Sequence, residues 1–368
     1  MSSQTHDRRA AIDAFLTAQE WAGAQQQPLG QDASTRRYIR LVRDDGTSAM
    51  LMDAPGVEDP PCPPDADESA RRKLGWNAAT RLAASRVDAF TAIAEELRRR
   101  GLSAPEIYAM DADTGLALIE DFGQGREFAR LIERGAVAEA ELYAAAGDLL
   151  GQLHTSEPPA LATGKGHTWP ILDFDALALR TNADLFAEWY PQFDMDVRWG
   201  EAAAERWRVE RDRLIARADT FDRVFTLRDY HAENLLWLPE RKGKARVGLL
   251  DFQDAVRGWA GWDMAMLTQD ARRDVSADAR DAAVTAYLSQ IPMARETLDA
   301  QLAVIGTLNA MRIAGLFARL IFRDKKPRYL DFLPRQLDIL ARNLNQPSVA
   351  GMADFIGEIA PHILERMR

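Results

Sequence analysis

Residues 227–234 read Leu-Arg-Asp-Tyr-His-Ala-Glu-Asn and residues 249–254 read Leu-Leu-Asp-Phe-Gln-Asp, and each segment follows or ends an apolar run. Apolar runs bounded by turn residues predict β-strands. Two such strands joined by a short charged turn form a hairpin, which would bring Asp229, Asn234 and Asp251 to one of its ends. Two carboxylates gathered there would repel each other unless a cation lay between them.

An aspartate, an asparagine five positions later and a second aspartate after a strand are the arrangement of kinase-type phosphotransferases. In that arrangement Asp229 would accept the proton of an acceptor hydroxyl, while Asn234 and Asp251 would bind Mg²⁺ on the phosphates of ATP. The alternative is that Asp229 and Asn234 only cap a turn, as these residue types often do. Asp251 favours the catalytic interpretation, because the hairpin delivers it to the same end.

The composition of the 368-residue chain is that of a globular protein, with 47% apolar and 28% charged residues. Its net charge of −10 argues against broad binding to nucleic acid or to anionic membranes. The single cysteine, Cys62, excludes an intramolecular disulfide and suits a reducing compartment. Residues 1–9 have no apolar segment behind them, and no run approaches a membrane span, so we expect a cytoplasmic protein.

Strand-like patterns dominate residues 1–122, and helical periodicity dominates residues 123–368. We therefore expect an α+β protein of two lobes, a small strand-rich lobe that binds ATP and a larger helical lobe that carries the catalytic and substrate residues. A proline-dense and charged insertion interrupts the first lobe at about residues 55–86. We expect an exposed helix over residues 65–82, in a segment that either covers the ATP lobe or is mobile.

Residues 121–123 read Asp-Phe-Gly, the metal-binding triplet of protein kinases, but they precede the Asp229 loop. Because the metal-binding aspartate follows the catalytic loop in kinases, we assign that role to Asp251 instead. Residues 120–125 follow a predicted strand and contain glycines, which favours a hinge between the lobes. Backbone groups of this hinge, together with Glu120 and Phe122, would meet the adenine edge of ATP.

The catalytic segment resembles that of the aminoglycoside phosphotransferase and choline-kinase-like family. Members of that family usually carry His-Gly-Asp-Leu-His-x-x-Asn, where residues 227–234 here read Leu-Arg-Asp-Tyr-His-Ala-Glu-Asn. The resemblance implies a protein-kinase-like fold and ATP as co-substrate. It also implies Asp229 as catalytic base, with Asn234 and Asp251 as ligands of Mg²⁺.

Further segments are similar to one bacterial subgroup of that family, the anomeric amino-sugar kinases of cell-wall recycling. These segments are residues 31–38, 50–55, 269–275, 317–320 and 323–330. The resemblance implies phosphorylation of the C1 hydroxyl of N-acetylmuramate and N-acetylglucosamine. The partners would be the amino sugar and ATP, without nucleic acid or membrane, and a uridylyltransferase would follow in the pathway only.

The third predicted strand lacks the lysine with which kinases of this fold usually grip the α- and β-phosphates, and Met52 stands in its place. The subgroup shares this departure. Arg36 or Arg37 could supply the charge, and the hydroxyl of Ser34 could reach a phosphate. The alternative is that both arginines are solvated residues of a strand.

Residues for the acceptor are less well defined by the sequence. Arg312, Arg319 and Arg323 fall on roughly one face of a predicted helix and could bind the lactyl carboxylate of N-acetylmuramate, although a solvated face explains them equally well. His231 either contacts a phosphate or holds its loop. The acceptor residues that we predict are His231, Glu233, Asn182, Asp184 and Arg312.

Other functions remain open at this point. A kinase for an aminoglycoside, choline or an amino alcohol would keep the chemistry and need an acidic pocket for its cationic acceptor. The missing lysine suggests a pseudokinase, against which Asp229, Asn234 and Asp251 argue. A dinuclear metallohydrolase is disfavoured because histidines are few.

Overall fold

The computed structural model describes residues 3–30, 36–55 and 61–366. The strands are β1 (Gln25–Pro28), β2 (Arg37–Val42), β3 (Ser48–Asp53), β4 (Ile107–Asp111), β5 (Leu116–Glu120), β6 (Leu161–Gly164), β7 (His167–Pro170), β8 (Val224–Thr226), β9 (Leu235–Trp237), β10 (Val247–Leu249) and β11 (Val256–Gly258). The helices are α1 (Ser3–Ala18), α2 (Glu68–Leu74), α3 (Trp76–Thr80), α4 (Val87–Arg99), α5 (Phe128–Glu133), α6 (Glu139–His154), α7 (Ala176–Phe193), α8 (Glu201–Ala218), α9 (Ala260–Thr268), α10 (Ala277–Leu288), α11 (Arg295–Phe322), α12 (Leu333–Leu344), α13 (Ala350–Ile359) and α14 (Pro361–Glu365).

The N-terminal part is built on a five-stranded antiparallel sheet in the order β1-β2-β3-β5-β4. Side chains alternate between the two faces of a strand. On one face Leu41 and Leu51 pack in a cluster with α1, whereas Met52 and Ile119 on the other face pack in a larger core with α4. The sheet is therefore covered by a helix on each side, and the predicted α+β plan is confirmed.

A hairpin joins β2 and β3, with Val42 opposite Ser48. Gly46 takes φ +84° in its turn, a left-handed conformation that glycine adopts without steric cost. The carboxylate of Asp45 accepts a hydrogen bond from the backbone N–H of Thr47 at 2.8 Å, which closes the turn. A chain that pairs its neighbouring strands in this way fixes their register locally.

The insertion forms α2 and α3 rather than one exposed helix. Arg71 in α2 is 3% exposed, and its guanidinium binds the carboxylate of Asp175, which caps α7. Arg71 also donates to the carbonyl oxygens of Ala78 and Ala79. The segment that we expected over the ATP lobe or mobile is therefore anchored to the start of α7, in the helical part; residues 56–60 lie outside the described residues.

In the helical part, α6 packs on α10 and α7 packs on α11. The second pair touches backbone to backbone at Gly315, where an added Cβ would lie 2.2 Å from the carbonyl group of Leu185. Because the two helices approach so closely, side chains of α7 and α11 line the same cavity. Helix α11 is 28 residues long and apolar enough to cross a membrane, contrary to our sequence expectation, but 72% of its apolar window is buried, as in a core helix.

Candidate active site

The predicted hairpin of the catalytic segment is formed by β9 and β10, with Leu235 opposite Leu249. The backbone N–H of Leu250 donates to the carbonyl oxygen of Asn234 at 2.9 Å. Asn234 and Asp251 therefore lie at the same end of the hairpin, as the sequence predicts. We call Asp229, Asn234 and Asp251 the catalytic end of the site.

Asp229 lies in the loop between β8 and β9, close to two other carboxylates. Burial, and then the charges of Asp251 and Asp254, raise the pKa of Asp229 to about 6. Arg228 and Arg312 oppose this shift. Asp229 is therefore ionised near neutral pH and still basic enough to take up a proton, which suits a general base.

Asn234 is held from its nitrogen side. Its amide nitrogen donates to the backbone carbonyl of Asp229 at 2.9 Å and lies 3.2 Å from Nε2 of His231. Burial, and then the charge of Arg272, lower the pKa of His231 to about 3, so the imidazole is neutral. Because the nitrogen side of the amide is engaged, its oxygen is the side presented to a ligand, and His231 acts here by orienting Asn234.

Asp251 has φ +58° and faces a positive charge from the sheet. Its carboxylate forms an ion pair with Arg36, which also donates to Gln253 at 2.6 Å. Burial alone would raise the pKa of Asp251, but the charge and hydrogen bond of Arg36 lower it below the ordinary value. Asp251 is thus ionised, unlike a buried carboxyl without a partner.

Arg228 precedes Asp229 in a left-handed conformation, with φ +76°. The family pattern carries glycine at this position, which such a backbone favours. Here the guanidinium donates to the carbonyl oxygens of Thr80 and Arg81 at 3.0 and 3.1 Å and lies 4.5 Å from the ring centre of Phe174. Arg228 therefore ties the catalytic loop to the insertion.

Two further buried carboxylates bind backbone N–H groups, one in the insertion and one in the loop that contains Asp229. Asp254 accepts hydrogen bonds from the backbone N–H groups of Ala83 and Ala84 at 2.6 and 3.0 Å. Asp263 accepts from those of Leu227 and Arg228 at 2.7 and 2.8 Å. Sequence reasoning missed the role of Asp263, although an acidic residue inside an otherwise apolar helix, α9, was a visible signal.

A cavity of about 230 Å³ opens beside Asp229, and we call it the acceptor cavity. Its lining residues are Trp76, Leu82, Asn182, Leu185, Arg228, Asp229, Trp262, Arg312, Leu316 and Arg319. Within the described chain, Asp229 is the one carboxylate of this lining, against three arginines. Among the predicted acceptor residues, Asn182 and Arg312 lie in this cavity. Sequence reasoning missed Trp76, which a weakly periodic segment supplies.

Arg312 is held against the cavity wall. Its Nε donates to Asn309 at 2.9 Å, and its guanidinium carbon lies 5.6 Å from the ring centre of Trp262. Burial lowers the pKa of Arg312 to about 10, while the charge of Asp229 works in the opposite direction. Arg312 therefore remains cationic at neutral pH and faces Asp229.

Two other predicted acceptor residues have protein partners outside this cavity, and their contact with an acceptor stays a prediction. Asp184 binds Arg211 and accepts from the indole of Trp207 at 2.8 Å, so it joins α7 to α8. It stands two positions from Asn182, and residues two apart on a helix do not share a face. Glu233 forms an exposed ion pair with Arg272 at 3.2 Å.

The two arginines predicted to bind ATP contact different carboxylates. Arg36 reaches Asp251, whereas Arg37 is half-exposed and pairs with Asp53 at 3.0 Å. Ser34 lies outside the described residues. In place of a lysine on β3, Met52 stands opposite Tyr38, whose hydroxyl lies 3.6 Å from the methionine sulfur.

The predicted hinge follows β5. Glu120 forms an ion pair with Arg241, and the guanidinium carbon of Arg241 lies 5.1 Å from the ring centre of Phe122. A further contact at the hinge was not predicted from the sequence. Arg40 of β2 is buried and donates to the carboxylate of Asp121 at 2.7 Å. This buried pair ties the sheet to the hinge, and contacts of Glu120 or Phe122 with adenine stay predictions.

Comparison with known proteins places this geometry in a family. A model of the phosphotransferase enzyme family matches residues 25–299. The N-acetylmuramate/N-acetylglucosamine kinase of Caulobacter vibrioides is 47% identical over 89% of this chain and 90% of its own length, and the enzyme of the same name from Pseudomonas aeruginosa is 28% identical over 83% and 80%.

Solved structures show the same fold at low identity. A choline/ethanolamine kinase family protein from Mesorhizobium loti aligns with a TM-score of 0.58 and 16% identity over 96% of this chain and 98% of its own. A choline kinase from Streptococcus pneumoniae aligns with a TM-score of 0.55 and 12% identity over 91% and 99%. These likenesses confirm the predicted protein-kinase-like fold with a small strand-rich lobe and a larger helical lobe. The chain belongs to the phosphotransferase enzyme family, and it is a phosphotransferase whose acceptor is a hydroxyl group.

Proposed function

We propose that this protein is an ATP-dependent sugar kinase that phosphorylates the anomeric C1 hydroxyl of N-acetylmuramate and N-acetylglucosamine. The observation that carries the proposal is the acceptor cavity, which ends at Asp229 and is lined by polar and aromatic side chains. The names of the two relatives supply the sugar class. A kinase for cationic acceptors is a weaker candidate, because three arginines line the cavity.

Asp229 would orient the C1 hydroxyl and receive its proton as the phosphoryl group is transferred. An anomeric hydroxyl is more acidic than an ordinary alcohol, so a carboxylate is a sufficient base. The raised pKa of Asp229, about 6, lies close to working pH and favours this transfer. The neighbouring Arg312 adds positive charge at the point where the oxygen becomes negative.

The donor set at the catalytic end fits a magnesium ion. The oxygen side of the Asn234 amide and the ionised carboxylate of Asp251 are ligands that Mg²⁺ prefers. The described residues contain no group of three His, Cys, Asp or Glu side chains that could hold a metal, so the amide and the phosphates would complete the shell. When bound, Mg²⁺ would offset the charge of the transferred phosphoryl group.

Arg36 is our candidate for the missing lysine. It follows the segment 31–35 directly and already contacts Asp251, so it stands where the phosphates and the metal would meet. Arg37 is paired with Asp53 on the sheet and is the weaker candidate. Glu120 and Phe122 of the hinge would border adenine, with the lobes divided at residues 122 and 123.

The product would be a sugar 1-phosphate, made in the cytoplasm during cell-wall recycling and consumed by a uridylyltransferase. The test is ³¹P NMR of the protein with ATP, Mg²⁺ and each amino sugar. We expect ADP and a phosphate signal coupled to the anomeric proton. A methyl glycoside of N-acetylglucosamine, which has no free C1 hydroxyl, is the matched control and should remain unchanged. Phosphate on any other hydroxyl, or no sugar turnover, would refute the proposal.

A further inference from the structure

The three arginines of the acceptor cavity differ in what already holds them. Arg228 donates to the carbonyl oxygens of Thr80 and Arg81. Arg312 donates to Asn309 and lies beside Asp229, whose charge acts on it. Both therefore have structural or catalytic partners at the inner part of the cavity.

Arg319 is different. Its Nε is buried and has no hydrogen-bond partner among the described residues. The nearby carboxylate of Asp324 is engaged by Arg323 at 2.6 Å. Burial and the charge of Arg323 lower the pKa of Arg319, and Asp324 and Glu188 only oppose this. A buried guanidinium N–H without an acceptor is costly, and such a group in a cavity points to a ligand that supplies the acceptor.

The position of Arg319 along α11 indicates which part of a ligand it would meet. Arg312 and Arg319 are seven residues apart, so they share one face of the helix about 10.5 Å apart along its axis. Arg312 faces the catalytic aspartate. Arg319 therefore borders the opposite end of the cavity, away from the hydroxyl that would react.

We propose that Arg319 is a specificity-determining residue that binds the lactyl carboxylate of N-acetylmuramate. The two amino sugars share the C1 hydroxyl and the N-acetyl group, and they differ at C3, where N-acetylglucosamine has only a hydroxyl. A guanidinium at the far end of the cavity is matched to a carboxylate on that ring position. This inference rests on the proposed function, since it assumes that both sugars are substrates.

The test is the variant Arg319→Met, which keeps length and apolar bulk but removes the charge. We measure kcat and KM for each sugar at saturating ATP. We expect KM for N-acetylmuramate to rise at least about tenfold, as for a lost charge-assisted hydrogen bond. For N-acetylglucosamine, KM should change less than about twofold, and kcat should hold for both sugars.

Two further variants separate specificity from general damage. Arg319→Lys should recover part of the affinity for N-acetylmuramate, because it restores a charge without the planar fork. Arg208→Met, an exposed change on α8 outside the lining of the acceptor cavity, should alter neither sugar. Turnover of N-acetylglucosamine shows that each variant is folded.

The outcomes separate this inference from the proposed function. If Arg319→Met changes both sugars equally, or neither, then Arg319 does not read the carboxylate and the inference is wrong while the kinase proposal stands. If the unaltered protein phosphorylates neither sugar, the proposed function itself fails. A selective loss of N-acetylmuramate in Arg319→Met, with recovery in Arg319→Lys, supports both.

Discussion

The catalytic end and the acceptor cavity lie side by side but are assembled in different ways. The catalytic end lies within one hairpin and its flanking loops, where backbone pairing such as that of Leu250 with Asn234 sets the spacing. The cavity takes its walls from α3, α7, α9 and α11, which are far apart in the chain. Local pairing can therefore keep the proposed phosphoryl-transfer groups fixed while long-range helix packing reshapes the cavity for another acceptor.

The largest expected effect comes from removing the base. Asp229→Ala should lower kcat at least about 10²-fold, because proton transfer from the hydroxyl loses its acceptor. If the two regions are separable, the Kd of the sugar, measured by calorimetry, should change only a few-fold. Loss of sugar binding in a folded variant would show that the two regions are not separable, and near-normal kcat would overturn the role of Asp229.

A second prediction concerns the nucleotide side of the catalytic end. Arg36→Met removes the ion pair with Asp251 and the bond to Gln253, so kcat/KM for ATP should fall by about 10- to 100-fold. KM for the sugar should remain unchanged. Arg37→Met is the matched control, because Arg8 still pairs with Asp53. Equal losses in both variants would contradict the special position of Arg36.

A third prediction concerns the pH dependence of kcat/KM, which tests the catalytic end. Burial raises the pKa of Asp229 to about 6, and the base must be ionised, so kcat/KM should fall about tenfold per pH unit below about pH 6. Because the charges of Asp229 and Asp251 affect each other's titration, the apparent pKa of this fall in kcat/KM describes the pair of carboxylates rather than Asp229 alone. N-acetylglucosamine is the proper substrate, since it has no carboxylate to titrate. A flat profile down to pH 5 would count against Asp229 as the base.

Protonation of Asp229 would not cause the protein to unfold in acid, so unfolding through this group cannot explain the fall of kcat/KM below about pH 6. The folded protein binds this proton more tightly than the unfolded chain does, because the folded pKa is raised. The contribution of this group to stability is therefore full below the ordinary pKa of aspartate and is lost as pH rises through about 6. Thermal unfolding at each pH provides the check.

The smallest expected effect comes from weakening the anchor of the segment that supplies Trp76 to the wall of the acceptor cavity. Arg71→Met breaks the buried contacts with Asp175 and two carbonyl groups, so the free energy of unfolding should fall by about 1–3 kcal/mol. KM for the sugar should rise a few-fold, because α3 carries Trp76, while kcat should hold. Arg72→Met removes an exposed pair with Glu68 and should cost less than about 0.5 kcal/mol. Urea unfolding of both variants measures these losses. Equal decreases in the free energy of unfolding would contradict the anchoring role of Arg71.

The same division explains how far the sequence could predict the site. Asp229, Asn234 and Asp251 were predictable because strand patterns and a short turn fix their relative positions locally. The lining of the acceptor cavity was not predictable in this way. Whether Asn182 or Asp184 lines it depends on which face of α7 meets α11. That face is set by the contact at Gly315, which no local pattern reveals. Trp76 was missed because its segment is stabilised by contacts with Arg228 and Asp175 far along the chain.

Arg228 has a consequence for engineering this enzyme. A non-glycine residue in the left-handed region costs about 1–2 kcal/mol, and glycine at position 228 would relieve that backbone strain. The same change would remove the hydrogen bonds that link Thr80 and Arg81 to the loop that contains Asp229. Because a buried guanidinium and its two hydrogen bonds are lost at the same time, Arg228→Gly should destabilise the protein overall, so introducing the family's glycine at this position alone would not yield a more heat-resistant enzyme.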